Sequence, residues 1–188
     1  MMEKEIQNAL KALQNGGIIV YPTDTIWGIG CDATNTNAIK KIHDIKRRVE
    51  QKTMIVLVSD MEEIRNYVKD VPETAFDLIE TWQKPLTIVY DGAKNLAKNL
   101  VRDNDTVAIR VSKDEFSNRL IKAFGKPIVS TSANESGKQS PIFYNDIDKY
   151  ILENADYVVN LYHNTMNEVK PSTIIKMEAG GSFKIIRS

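Results

Sequence analysis

Three stretches of the chain carry side chains whose types and spacing could hold an anion. The first is Ile45-Lys-Arg-Arg48. On a continuous helix Lys46 and Arg48, two residues apart, point in different directions. If the helix ends near Lys46, the chain can turn and aim both cations at one point. Arginine then offers a rigid fork for phosphate and lysine a mobile point charge. Cations at a helix C-terminus also simply complement its dipole. The second stretch is Ser130-Thr-Ser-Ala-Asn-Glu-Ser-Gly137, which follows a buried apolar run. Open α/β sheets put ligands at such carboxyl ends of strands. Its small hydroxyls and amide can bond phosphate, ribose or an amino acid without filling a cleft, although the same composition makes a polar turn. The third is Tyr21-Pro-Thr-Asp-Thr-Ile-Trp-Gly-Ile-Gly30. Thr23, Asp24 and Thr25 supply close-set polar groups, and Gly28 and Gly30 allow close backbone approach.

Other chemistries find little support. The full glycine fingerprint of dinucleotide sites is missing, as is the Walker pattern. His43 and His163 have no cysteine, histidine or carboxylate at a metal-ligand spacing, and both are expected on the surface. No metal site is expected. Cys31, Trp27 and Trp82 read as packed residues.

The elements that must position these groups alternate along the chain. Ile6, Leu10 and Leu13 mark a helix over 3–14, stopped by Gly16-Gly17. Residues 17–21 read as a buried strand. Asn35 or Thr36 caps a helix with Ala38, Ile42, Ile45 and Val49 on one face. Strands are expected at 54–58, 86–90, 106–111, 127–130, 157–160, 173–176 and 183–186. Helices are expected at 61–69, after Pro72, and from a Ser112 cap to Gly125. Strands interleaved with helices indicate a single α/β domain, 1–188, around a large mixed sheet.

Bulk properties narrow the class. Lys+Arg and Asp+Glu are both 25, so the chain is neutral overall, unlike a protein that wraps nucleic acid with its whole surface. Charge is nevertheless uneven. Residues 40–52 hold Lys40, Lys41, Lys46, Arg47, Arg48 and Lys52 against Asp44 and Glu50, while 60–80 are acidic. A local positive patch beside a negative face suits capture of a small anion. A lone cysteine, Cys31, excludes an internal disulfide or a cysteine-built zinc site and suits a reducing compartment. The first residues, Met-Met-Glu-Lys-Glu, read as charged helix and not as a signal peptide. No apolar run approaches the ~20 residues that span a bilayer. A cytoplasmic location and no membrane contact are expected.

Taken together and in order, the segments resemble the YrdC family, the threonylcarbamoyl-AMP synthases. The family's opening pattern, close to Tyr-Pro-Thr-Asp-Thr-x-Tyr-Gly-Leu-Gly, is matched from Tyr21 to Gly30 with Trp27 in the aromatic place. Its Ile-Lys-x-Arg is Ile45 to Arg48, its Pro-Leu-Thr is Pro85 to Thr87, and its Val-Ala-x-Arg is Val107 to Arg110. Ser132-Ala-Asn134-x-Ser136-Gly137 resembles its signature loop and Pro171-Ser-Thr-Ile174 its late strand. The likeness covers essentially the whole chain, in the short form without the extra C-terminal domain of some members. Departures are Val49 and Thr53 where prolines are usual, Gln83-Lys84 where Pro-Gly is usual, and no clear Asp-Gly near Asn160.

The resemblance implies an open twisted mixed sheet with helices packed around it and a deep concave cavity. It implies formation of threonylcarbamoyl-AMP and pyrophosphate from L-threonine, bicarbonate and ATP, with Mg²⁺ carried by ATP. A tRNA-modifying threonylcarbamoyl transferase complex then consumes the product. Carried over by position, Thr25, Arg110, Ser130 and Ser172 contact threonine. Lys46, Arg48, Lys52, Thr106, Ser132, Asn134, Ser140 and Arg187 contact ATP, with Lys46 and Arg48 offsetting charge during the reaction. Alternatives are an RNA-binding module with weak tRNA affinity, a nucleotide-binding regulatory protein without turnover, and a carbamoyl-adenylate enzyme of hydrogenase maturation. The last kind is much longer and bears zinc-binding cysteines.

Overall fold

The computed structural model describes residues 1–47, 54–102, 104–163, 172–178 and 180–188. The expected helix at the start is α1, Met2–Gln14, with Ile6, Ala9 and Leu13 buried along one stripe. It leads into β1, Ile19–Tyr21, every residue of which is buried. The glycine-bearing segment, for which no strand is expected from sequence, contains β2, Gly28–Gly30. The helix α2, Thr36–Ile45, is capped by Asn35, whose side chain accepts from the amides of Asn37 and Ala38. The capping oxygen satisfies two amides that a helix start leaves without partners.

Next come β3, Ile55–Val58, and a 3₁₀ helix over Met61–Asn66 where a regular helix to residue 69 was expected. The helix α3, Glu73–Thr81, starts just after Pro72. Then follow β4, Leu86–Tyr90, β5, Val107–Val111, and α4, Glu115–Phe124. Asp114, not Ser112, caps α4. Its Oδ1 accepts from the Ser117 amide at 2.8 Å, while the Ser112 hydroxyl donates to its other oxygen at 2.7 Å. A carboxylate two residues nearer the helix outcompetes the hydroxyl and also meets the positive end of the dipole. Gly125 ends α4 at φ 70° as expected. The remaining elements are β6, Ile128–Ser132, a short 3₁₀ turn over Tyr144–Asp146, α5, Lys149–Asn154, β7, Tyr157–Val158, β8, Thr173–Met177, and β9, Phe183–Arg187.

Among the described residues one mixed sheet of nine strands runs β7-β1-β2-β6-β3-β5-β4-β8-β9. Alternation along its strands explains both the core and the cleft. Val20, Ile29, Val56, Val58, Ile88, Ile109 and Val129 point to one side, into the core with Ile39 and Ile42 of α2 and Ala75 of α3. Ile19, Tyr21, Leu57 and Ile128 point to the other, under Ile6, Leu13, Phe116 and Leu120 of α1 and α4. Successive side chains leave a strand on opposite faces, so the residues two places along from this second set share its face. On β6 they change from Ile128 to Ser130 and Ser132, and on β3 Leu57 gives way to Ile55. Register places Ser130 opposite Ile55, Ile55 beside Ala108, and Arg110 beside Leu57. The helices α1 and α4 cover the apolar part of this face, and the polar part stays open.

Two histidines depart from the sequence expectation. His43 is buried, because it follows Ile39 by one helical turn on the inward stripe of α2. The His163 ring stacks on Tyr144, with centroids 3.7 Å apart and planes 6° apart, and meets Trp27 edge-on at 5.5 Å. Aromatic partners from two other segments draw in a ring that local polarity placed at the surface.

Candidate active site

The open part of the sheet face lines a cleft of about 460 Å³. Its walls bring together Thr25, Lys46, Arg110, Ser130, Ser132, Asn134, Ser140, Ser172 and Arg187 from segments far apart in the chain. Thr106 lies just before β5, outside this lining, and its hydroxyl donates to Asn104 at 2.8 Å. Arg48 and Lys52 lie outside the described residues.

One wall is built from the end of α2 and the loop after β6. The helix stops at Lys46, and Arg47 turns into the left-handed region at φ 48°. That turn lets the Lys46 side chain run inward, where it is buried. Its ammonium donates to the carbonyl of Ser132 and, at 2.6 Å, to that of Asn134. The Ser136 amide donates back to the Lys46 carbonyl at 3.0 Å. The Asn134 amide group donates to the carbonyls of Glu135 and Lys138, and Arg47 pairs with Glu135 at 3.5 Å. The loop is therefore tied by its backbone to a buried cation, which fixes its shape.

The floor is the meeting of β1, β2 and β6. Register pairs Gly28 with Ser132 and Tyr21 with Gly28. A Cβ on Gly30 would overlap the Val129 carbonyl and lie 3.0 Å from the Tyr21 ring, so only glycine lets β2 sit this close to β6. Between β1 and β2 the turn is organised by one hydroxyl. Thr23 Oγ1 donates to the Ile26 carbonyl at 2.7 Å and accepts from the amides of Thr25 and Ile26 at 3.1 and 3.3 Å. The hydroxyls of Thr23 and Thr25 also lie 3.0 Å apart, within hydrogen-bond distance. Burial pushes the nearby Tyr21 phenol well above its ordinary range.

The opposite wall carries cations. Arg110, 4% exposed, lies 3.2 Å through Nη2 from Oδ1 of Asp24, whose side chain is 15% exposed. The charges attract, but the contact lacks hydrogen-bond alignment, and both Asp24 Oδ1 and Arg110 Nε are buried without a bonding partner. Burial raises the Asp24 carboxyl, and Arg110 pulls it back down. On the neighbouring strands, Ser172 shares a hydrogen bond with Thr87 at 2.8 Å. Arg187 donates to the Ser172 carbonyl from Nη2 at 2.9 Å and from Nε at 3.2 Å. Burial, and then the charge of Arg110, lower the Arg187 guanidinium. Arg110 and Arg187 line the same cleft and give this wall a positive character.

Sequence reasoning named most of these groups but missed two links. Thr87 shares the sheet face of cleft-lining Val89 and lies beneath Ser172, because it sits at an alternate position of β4 between core-facing Leu86 and Ile88. That signal was available in the strand pattern. Asp24 as the partner of Arg110 joins two segments that no local pattern connects. Among the described residues no group of three or more His, Cys, Asp or Glu side chains could hold a metal ion, and no helix is long and apolar enough to cross a membrane.

A family model, Sua5/YciO/YrdC, described as telomere recombination, matches residues 11–188. A threonylcarbamoyl-AMP synthase of Pseudoalteromonas translucida is 34% identical over 97% of this chain and 98% of its own length. One from Psychromonas ingrahamii is 34% identical over 82% of this chain and 83% of its own. Among solved structures, Sua5 of P. abyssi complexed with L-threonine superposes with a TM-score of 0.84 at 26% identity. That match covers 100% of this chain and 54% of the Sua5 chain, so this chain spans about half the length of that neighbour. E. coli YciO, at 24% identity, shares the fold with a TM-score of 0.85 over 100% of this chain and 90% of its own.

Proposed function

The chain belongs to the Sua5/YciO/YrdC family, and on that premise we propose that it joins L-threonine, bicarbonate and ATP into threonylcarbamoyl-AMP and pyrophosphate. It acts in this reading as a nucleotidyltransferase in the cytoplasm. Its product passes to a tRNA-modifying threonylcarbamoyl transferase complex. The observation that carries the reading is one cleft in which Arg110, Ser130, Ser172 and Thr25 converge with Lys46, Ser132, Asn134, Ser140 and Arg187.

The chemistry needs no covalent bond to the protein. The threonine amine takes up the carbon of bicarbonate as a carbamate, with loss of water. A carbamate oxygen then attacks the α-phosphorus of ATP and pyrophosphate leaves. Transfer at phosphorus depends on positioning and charge stabilisation more than on protein nucleophiles. Arg110 would hold the amino acid's carboxylate, a pairing that fixes orientation when bidentate. Ser130 and Ser172 would meet its polar atoms, while Ser132, Asn134 and Ser140 would meet the nucleotide. Lys46 serves the nucleotide by holding that loop and by its charge beside the phosphates. Arg48 and Lys52 join it there by their likeness to the family motif, and Thr106 is retained on the same ground. Mg²⁺ travels on the phosphates of the substrate, where this ion often keeps several waters.

The test is pyrophosphate release from ATP with L-threonine and bicarbonate each omitted in turn. Release that requires both supports the reaction. ATP cleavage indifferent to both contradicts it, and salt-sensitive tRNA binding without cleavage would favour an RNA-binding role.

A further inference from the structure

The Asp24–Arg110 pair is incomplete in a way that fits a specific visitor. A guanidinium holds a carboxylate best through two parallel N–H···O bonds. Here Arg110 touches Asp24 through Nη2 alone, at 3.2 Å, and its Nε has no partner. Asp24 Oδ1 is itself buried without a hydrogen-bond donor. Buried charged oxygens normally have donors, and leaving one unmet is costly. Two complementary deficits thus lie side by side: a donor short of an acceptor on Arg110, and an acceptor short of a donor on Asp24. The backbone makes this arrangement firm, because the Thr23 hydroxyl gathers the amides of Thr25 and Ile26 and holds Asp24 at the apex of the turn.

A free α-amino acid carries an anionic acceptor for the first and a cationic donor for the second. Standard bond lengths put its ammonium nitrogen roughly 2.5 Å from its carboxyl carbon. A carboxylate on Arg110 would therefore bring its own ammonium close to the neighbouring Asp24. We propose that the Asp24 carboxylate receives the α-ammonium of the amino acid whose carboxylate sits on Arg110, so that the pair recognises the zwitterion and not merely an acid. Asp24 is a specificity-determining residue in this account, flanked by cleft-lining Thr23 and Thr25 and paired with cleft-lining Arg110. The raised carboxyl of Asp24, a result of burial, is eased when a second cation arrives. The inference rests on the reading that the cleft takes L-threonine.

The experiment compares Asp24→Asn with the unaltered protein. It measures the KM for L-threonine in pyrophosphate release and the inhibition constant of 3-hydroxybutyrate. That acid keeps the carboxylate and hydroxyl but lacks the ammonium. Asparagine preserves shape and removes the charge. The expected result is a threonine KM raised about tenfold or more, the scale of a lost charge-assisted hydrogen bond, with little change in 3-hydroxybutyrate inhibition. Equal weakening of both ligands would make Asp24 a structural counterion of Arg110 and overturn the proposal, as would an unchanged KM. Should the variant fail to fold, the unaltered protein still decides: it must bind 3-hydroxybutyrate about tenfold or more weakly than L-threonine, and equal affinities overturn the proposal. A protein whose pyrophosphate release ignores threonine altogether fails the functional reading, a different outcome from any of these.

Discussion

The two walls of the cleft are built on opposite principles. On the Lys46 wall, the charged group is committed to backbone carbonyls of Ser132 and Asn134, and the loop is fastened from both sides. On the Arg110 wall, the guanidinium and its carboxylate neighbour leave bonding atoms unmet, and a second guanidinium, Arg187, stands near enough to feel the first. The Lys46 ammonium is spent on the shape of its wall, whereas Arg110 and Asp24 keep bonding atoms unmet. A cation in a cleft is therefore not automatically a ligand contact, and what distinguishes the two kinds is whether its partners are already present.

Substitutions should break this contrast in a defined order. Arg110→Ala removes the reserve cation and leaves Asp24 buried without its partner. Truncating one member of a buried charge pair costs about 2–5 kcal/mol. Threonine-dependent kcat/KM should fall on the order of a hundredfold, read by pyrophosphate release. Loss of stability with unaltered threonine dependence in the surviving folded fraction would reverse the assignment of that wall. Lys46→Met has a smaller and different signature. It leaves two carbonyls unmet at about 1–3 kcal/mol in total, so the melting temperature should drop and the ATP KM should rise, with threonine KM less affected. An unchanged melting temperature would remove Lys46 from its structural role and sharpen its claim to the phosphates.

Much of this arrangement was legible in the residues, unevenly. The strand at Leu86–Tyr90 and the stop at Gly125 followed from local pattern. The end of α2 beside Lys46 did not follow in the same way, because the apolar spacing of that helix continues to Val49 in the sequence. The strand β2 was hidden, since Gly28 and Gly30 carry no strand propensity, and their role is set by the closeness of β6. The burial of His43 and the stacking of His163 were hidden for a related reason, as polarity alone does not reveal what a neighbouring segment offers. At the site, hydroxyls, cations and glycines pointed to the right segments. The sequence could not show that Lys46 reaches the carbonyls of the loop after β6, or that Asp24 lies against Arg110, because both join segments distant in the chain.

The most direct test of the central claim, that the Arg110 wall is reserved for an amino-acid carboxylate, is calorimetric titration of the unaltered protein with L-threonine and with L-threoninamide. The amide keeps the ammonium and the side chain and loses only the anionic group. The account predicts measurable binding of threonine and a loss of about tenfold or more in affinity for the amide. Equal affinity for the two would contradict it.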